Sequence, residues 1–400
     1  VSKLYKVAIE NNNFNEDEDV GDIISILEEH DILHSNYDLH ADISSGVEVL
    51  TKMENDFHNQ INLSFESYQN NSVALETLIE SLKEFWDKIV AFIKSIIEKI
   101  VQFFQAHFGL LSRRKKQILK LIDEYNELEA GLTKHEATKD TITITDYEWL
   151  YLDSKPCDSG TKLLDGIKDL IKATNYIFGD YLSTVISRGE VIESAINHIK
   201  NNNSSDIYEK FIKDFLYKGV EQFQFPLLNN KTFDLTKPPI NENASFKDKV
   251  KVLSIIKVDI TDTIEIPKNK SVVFENIQVS EAKGILSELL TLIEVFESFN
   301  KTRLKEVLKV GDRIRDDSDT LMKRIESMFK EDPDNREQIT SVRALVGLNP
   351  AYVRWVKTPT TELVHVGTEC IFHTCSLLEK NIAKYNKRKS LNILSIIGAM

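Results

Sequence analysis

Cysteine is scarce: Cys157, Cys370 and Cys375 are the only three in 400 residues. An odd, widely spaced set cannot be a disulfide framework, so a reducing compartment suits the chain best. Glycine and proline are also few, at 14 and 8, which argues against a turn-rich β fold and for long helices. A membrane span needs about 20 apolar residues in a row; Lys94, Glu98 and Lys99 interrupt the best candidate. No phosphate-cradling Gly-rich loop, no G-x-G-x-x-G after a strand, no H-E-x-x-H pair and no G-x-S-x-G elbow occurs. These absences point away from an enzyme and away from any cofactor or small-molecule substrate.

What is present is 42% hydrophobic and 28% charged residues, an ordinary globular balance. The net charge of -13 is unevenly placed. Residues 1–50 hold twelve acids against Lys3 and Lys6, a net of 2 − 12 = -10. Residues 86–116 hold seven bases against two acids, and residues 380–389 hold five bases and no acid. Such asymmetry suits contacts between segments or subunits, although solvated faces that keep the protein soluble account for it as well. Val1 has no Met before it, which fits routine Met removal and propeptide cleavage equally.

The strongest pattern lies in residues 75–108. Leu78, Leu82, Phe85, Trp86, Ile89, Ile93, Ile96, Ile97, Ile100 and Phe104 recur at helical spacing, with Glu84, Asp87, Lys88, Lys94, Ser95, Glu98, Gln102 and Gln105 on the other side. The basic run Arg113, Arg114, Lys115, Lys116 follows. Such a stripe needs an apolar partner: the rest of the fold, another chain, or a bilayer interface with Trp86 and the Phe residues inserted. Gly109 marks a break, after which a charged helix over 110–128 either folds back as a hairpin or runs on as one rod.

Acidic helices are expected over 15–34 and 42–68, the first with an acid-rich opening turn. Period-two alternation predicts strands at 141–145 and 147–152. Helices follow at 161–178, 181–200 and 205–218, then a loop at 223–239. Residues 249–266 and 271–277 are expected to pair across a turn at 267–270. Helical spacing returns over 280–329, breaks at Asp332-Pro333-Asp334, and ends in a helix over 350–387 with an apolar tail. The fold expected is mainly α: long amphipathic helices in a multi-helix bundle with a small mixed α/β insertion. Its regions are 1–72, acidic and helical; 73–131, the amphipathic and charged helices; 132–279, mixed; and 280–400, a C-terminal bundle.

Weaker constellations have plainer readings. Soft ligands His365, Cys370, His373 and Cys375 suit zinc, but on one helix Cys370 and His373 share a face while Cys375 points away from both, so buried cysteines and one capping histidine explain them better. Asp312, Asp316, Asp317 and Asp319 around Arg313 and Arg315 read as ion pairs on a helix face. Asp158 or Ser159 reads as a helix cap rather than a phosphate cradle. Arg113 to Lys116 suit DNA phosphates, though a pI near 5.3 argues against a dedicated nucleic-acid binder.

The segment SLKEFWDKIVAFIKSIIEKIVQFF at residues 81–104, with the basic run after it, resembles the internal virion proteins of large tailed phages, of inner-body or prohead-core type. The resemblance covers about 50 residues. It implies a non-enzymatic structural protein, made in the host cytoplasm and packaged inside the phage head. Its partners would be itself and other virion proteins, with weak contact to packaged DNA. The interaction residues would be Phe85, Trp86, Ile89, Ile93, Ile97, Ile100, Phe104, Arg113, Arg114, Lys115 and Lys116. The contrasting expectation is a membrane-acting, pore-forming-like helical protein that uses the 75–108 helix.

Overall fold

The computed structural model describes residues 72–131, 141–144, 147–187, 224–236, 257–266, 271–306 and 348–397, with scattered positions at 41–56, 239–252 and 309–327. Helices α1 (Ser72–Gly131), α2 (Gly160–Tyr176), α3 (Val279–Thr302) and α4 (Leu348–Ile397) dominate. The chain is mainly α, with small sheets inserted between α1 and α3.

Helix α1 runs 60 residues without a break, about 90 Å at 1.5 Å per residue. Gly109 is exposed, and a Cβ there would meet nothing within 4 Å. Its propensity cost of about 1 kcal/mol is small beside the burial of Phe103, Phe104, Leu110 and Leu111 on either side. The hairpin-or-rod question therefore resolves as a rod. One stripe of α1, from Ile89 through Ile100, Phe104, Ile118 and Tyr125 to Leu128, is buried; α1 packs on α3 and α4, meeting them at Phe104 with Phe299 and at Tyr125 with Leu378, while Ile96 lies against Gly46.

Helix α4 is buried on nearly all sides from Ala351 to Leu378, as a core helix must be. Its buried threonines return their hydroxyls to the preceding turn: Thr360 to the Val356 carbonyl at 2.9 Å, Thr361 to Lys357 at 3.0 Å and Thr368 to Val364 at 2.7 Å. Close approach to α3 is set by Gly367, which faces the ring of Phe296. At the start of α3, Gln278 and Glu281 form a capping box, the Glu281 carboxylate accepting from the Gln278 amide at 3.1 Å. Ser159 caps α2 by accepting from the Lys162 amide, as its position before the helical run suggested. A five-residue π turn, Ile177–Tyr181, then widens the helix.

The sheets correct three expectations. Residues 223–239 are not a loop: β4 (Gln224–Leu227) and β5 (Lys231–Thr236) form a hairpin. Asn229 and Asn230 take φ of 67° and 54°, a left-handed turn that Asn tolerates better than most residues. Pro226 sits in the edge strand, where a missing N–H costs least. The two segments flanking 267–270 do not pair with each other. Instead β6 (Lys257–Asp262) joins β5, and β7 (Val272–Glu275) joins β1 (Thr141–Ile144), antiparallel with Ile142 opposite Phe274. The hairpin supplies the reason. Asn230 accepts from the Thr263 amide at 2.8 Å and its carboxamide donates to the Ile264 carbonyl at 2.7 Å, which draws β6 onto β5. Finally, 147–152 opens as a 3-10 turn, Glu148–Leu150, before the two-residue strand β2 (Tyr151–Leu152). Trp149 and Leu150 are both buried, so adjacent side chains face inward and period two fails. Strand β2 turns through Asp153 and Ser154, both with positive φ, into β3 (Lys155–Pro156).

The helices expected over 15–34 and 205–218 and the break at Asp332-Pro333-Asp334 lie outside the described residues, as do Asp312, Asp317 and Asp319. Among the described residues no helix is long and apolar enough to cross a membrane.

Candidate interaction surface on the long helix

The greasy stripe of α1 divides along its length. Ile89 and Phe104 are fully buried, Ile93 and Ile100 nearly so, and Ile97 is half-buried. Phe104 stacks on Phe108 and tilts against Phe299 of α3. The side chains of Phe85 and Trp86 lie outside the described residues.

The basic run divides as well, because four consecutive residues cover all sides of a helix. Arg114 is buried with its guanidinium 4.4 Å over the Phe372 ring of α4, and it also donates to the Gln117 side chain. Lys115 pairs with Glu297 of α3 at 3.1 Å. Arg113 and Lys116 are exposed. Half of the run thus clamps α1 to the body, and half faces outward.

Where α1, α3 and α4 converge, a buried polar network does the registering. Asn381 of α4 donates to the Tyr125 hydroxyl and to the Ile277 carbonyl, each at 3.0 Å, and accepts from the Ile277 amide at 3.3 Å. Tyr125 in turn donates to the Leu378 carbonyl at 3.0 Å. Tyr385 accepts from Asn276 at 3.1 Å and donates to Ile277 at 3.0 Å. Burial pushes the Tyr125 hydroxyl well above its ordinary titration range and raises that of Tyr385, against the lowering effect of the bonds from Asn381 and Asn276. They are fixed donors, unsuited to proton transfer at neutral pH. Sequence reasoning missed this network. Its signal was an asparagine in helical register with Leu377, Leu378, Ile382 and Tyr385.

The soft-ligand group does not converge. His365 pairs with Glu369 at 3.5 Å, His373 stacks on Trp149 with centroids 5.4 Å apart, and Cys370 lies 4.0 Å from the Thr374 hydroxyl. Both histidines sit inside α4, so the expected capping role is corrected to packing and pairing. Among the described residues no group of three or more His, Cys, Asp or Glu is placed to hold a metal ion.

The amphipathic segment and basic run that carry the resemblance lie on one unbroken helix packed on a helical body, and the comparisons decide the family. The family model described as phiKZ-like phage internal head proteins matches residues 64–374. The chain belongs to that family. As a phiKZ-like internal head protein, it resides inside the phage head. The match takes in α1, every strand among the described residues, α2, α3 and about half of α4, and begins beyond the acidic first 50 residues. No curated protein and no solved structure matches this internal head protein.

Proposed function

We propose that this internal head protein is a non-enzymatic structural component that assembles with copies of itself and with other virion proteins through the apolar seam of α1. The supporting observation is how that seam is used. From Ile89 to Leu128 it is buried within the fold, while in the sequence the same spacing continues backward through Trp86, Phe85, Leu82 and Leu78. At about 90 Å, α1 is longer than α3 at about 36 Å and α4 at about 75 Å. The rod therefore has more length than either partner helix offers, and its N-terminal third is the part proposed to adhere. In this reading the buried isoleucines and Phe104 hold the rod in place, Phe85 and Trp86 are the contact residues, and Arg113 and Lys116 orient the approach or touch packaged DNA.

Sedimentation velocity of the full chain tests the proposal. Wild type should self-associate, and Phe85→Asp with Trp86→Asp should shift it to monomer with unchanged far-UV circular dichroism. A monomeric wild type, or association indifferent to both changes, would overturn adhesion through this seam.

A further inference from the structure

We infer that the acidic N-terminal segment of this chain, residues 16–31, docks along the exposed basic stripe of α1 formed by Arg113, Lys116 and Lys120, shielding it from other polyanions.

The stripe is defined by helix geometry. At 100° per residue, Lys99, Arg113, Lys116 and Lys120 fall within about 100° of one another, joined by Gln102 and Gly109 between them. No acid occurs between Glu98 and Asp123. Arg113, Lys116 and Lys120 are exposed, and the space over Gly109 is open.

The lower end of this stripe already holds the N-terminal region. Asp42 pairs with Lys99 at 2.9 Å. Gly46 lies against Ile96, where a Cβ would come 3.3 Å from its Cγ1. Ile43 is fully buried, and Met53 packs against the core. Asp42 beside Lys99 and Gly46 beside Ile96 mean the two segments run in opposite directions. The N-terminal end of the segment 41–46 therefore points toward the C-terminal half of α1, where the basic side chains stand. From Lys99 to Arg113 is 14 residues, and to Lys120 is 21, or about 21 and 32 Å along the helix. Forty-one residues precede Asp42, enough to span this whether helical or extended. They carry ten acids against two bases, with Glu16, Asp17, Glu18, Asp19, Asp22, Glu28, Glu29 and Asp31 between 11 and 26 residues before Asp42. Like-signed neighbours repel and opposite ones attract over about 8 Å at physiological salt; Asp123 and Glu124 lie within one turn of Lys120 alone, so Arg113 and Lys116 draw compensating charge from this segment. A second copy or a DNA duplex would have to displace it.

Carbodiimide coupling of carboxylates to amines, on an equal mixture of isotopically light and heavy full-length chains, tests the docking. The Asp42–Lys99 link serves as internal control. Links from residues 16–31 to Lys116 or Lys120 within one chain, lost at 1 M salt, are expected. Links joining light to heavy chains, or none from this segment while the control forms, would overturn it. Shielding is read separately, by anisotropy of a labelled 20-base-pair duplex. Neutralising Asp22, Glu28, Glu29 and Asp31 in the full chain (D22N, E28Q, E29Q, D31N) should tighten binding about tenfold at 0.1 M salt. Adding R113Q, K116Q and K120Q should reverse the gain. Unchanged affinity would remove the shielding.

Discussion

The hydroxyl of Tyr181 donates to the main-chain carbonyl of Trp355 at 3.0 Å. That carbonyl would ordinarily accept from the amide of residue 359, but residue 359 is a proline inside α4 and has no N–H. Tyr181 closes the π turn Ile177–Tyr181, so the irregularity in one helix supplies the donor that the irregularity in the other removes.

A double-mutant cycle measures this compensation. Tyr181→Phe leaves a buried carbonyl without its donor and should cost about 1–2 kcal/mol in urea unfolding. In a Pro359→Ala background the amide at 359 returns, and the cost of Tyr181→Phe should fall by at least half. Additive effects would mean that the two residues are not coupled in this way.

Gly367→Ala sets two known effects against each other. Replacing a mid-helix glycine with alanine should stabilise by about 1 kcal/mol. Yet the new Cβ would sit 2.7 Å from Cε2 of Phe296, a fully buried ring packed against Phe178. Overpacking should win, with a net loss of about 1–3 kcal/mol in thermal or urea unfolding, partly recovered by Phe296→Leu. An alanine variant as stable as wild type would contradict the close approach of α3 and α4.

Lys357 should make stability depend on pH. Burial pushes its ammonium from 10.5 down to about 8, with Glu362 pulling weakly the other way. Between these values the unfolded chain binds the proton and the folded chain does not, so stability rises with pH across that window. Below pH 8 the cost is at its full value, up to about 3 kcal/mol. Lys357→Met should therefore stabilise at pH 7 and lose its advantage toward pH 10.5. Unfolding both proteins across that range cancels the thiols, which pull the opposite way above pH 9. A gap that stays constant with pH would contradict the assignment.

The cysteines should be inert in the native state. Burial pushes the Cys157 thiol up to about 11 and Cys370 up to about 12, from 9.0, and Cys375 is also buried and in no disulfide. A thiol held that far up carries about 100-fold less of the reactive thiolate at pH 8 than the same thiol in the unfolded chain. Disulfide-exchange reagents at pH 8 should modify these thiols at least that much more slowly in the folded chain than in urea. Rapid native labelling would place one of them at the surface.

The sequence by itself determined the helical class, the amphipathic stripe of residues 75–108, a helix cap at Asp158 or Ser159 and the family resemblance, while it left open whether α1 bends at Gly109 and what covers its stripe. Each rests on local periodicity or on an interaction spanning three or four residues, and such signals survive without a partner in view. Only the tertiary structure decided which strands pair, because Asn230 and the inward faces of Phe233, Leu235 and Val258 bring β6 to β5 rather than to its neighbour in the chain. It alone divided the basic run into Arg114 and Lys115 turned inward and Arg113 and Lys116 turned outward, since which side of a helix is covered depends on what packs there. Likewise Pro359 reads as a helix breaker until Tyr181, 178 positions earlier, is placed against the carbonyl it frees. Short-range order is written in spacing; the pairing of distant polar groups is set by burial, which exists only once the chain has folded.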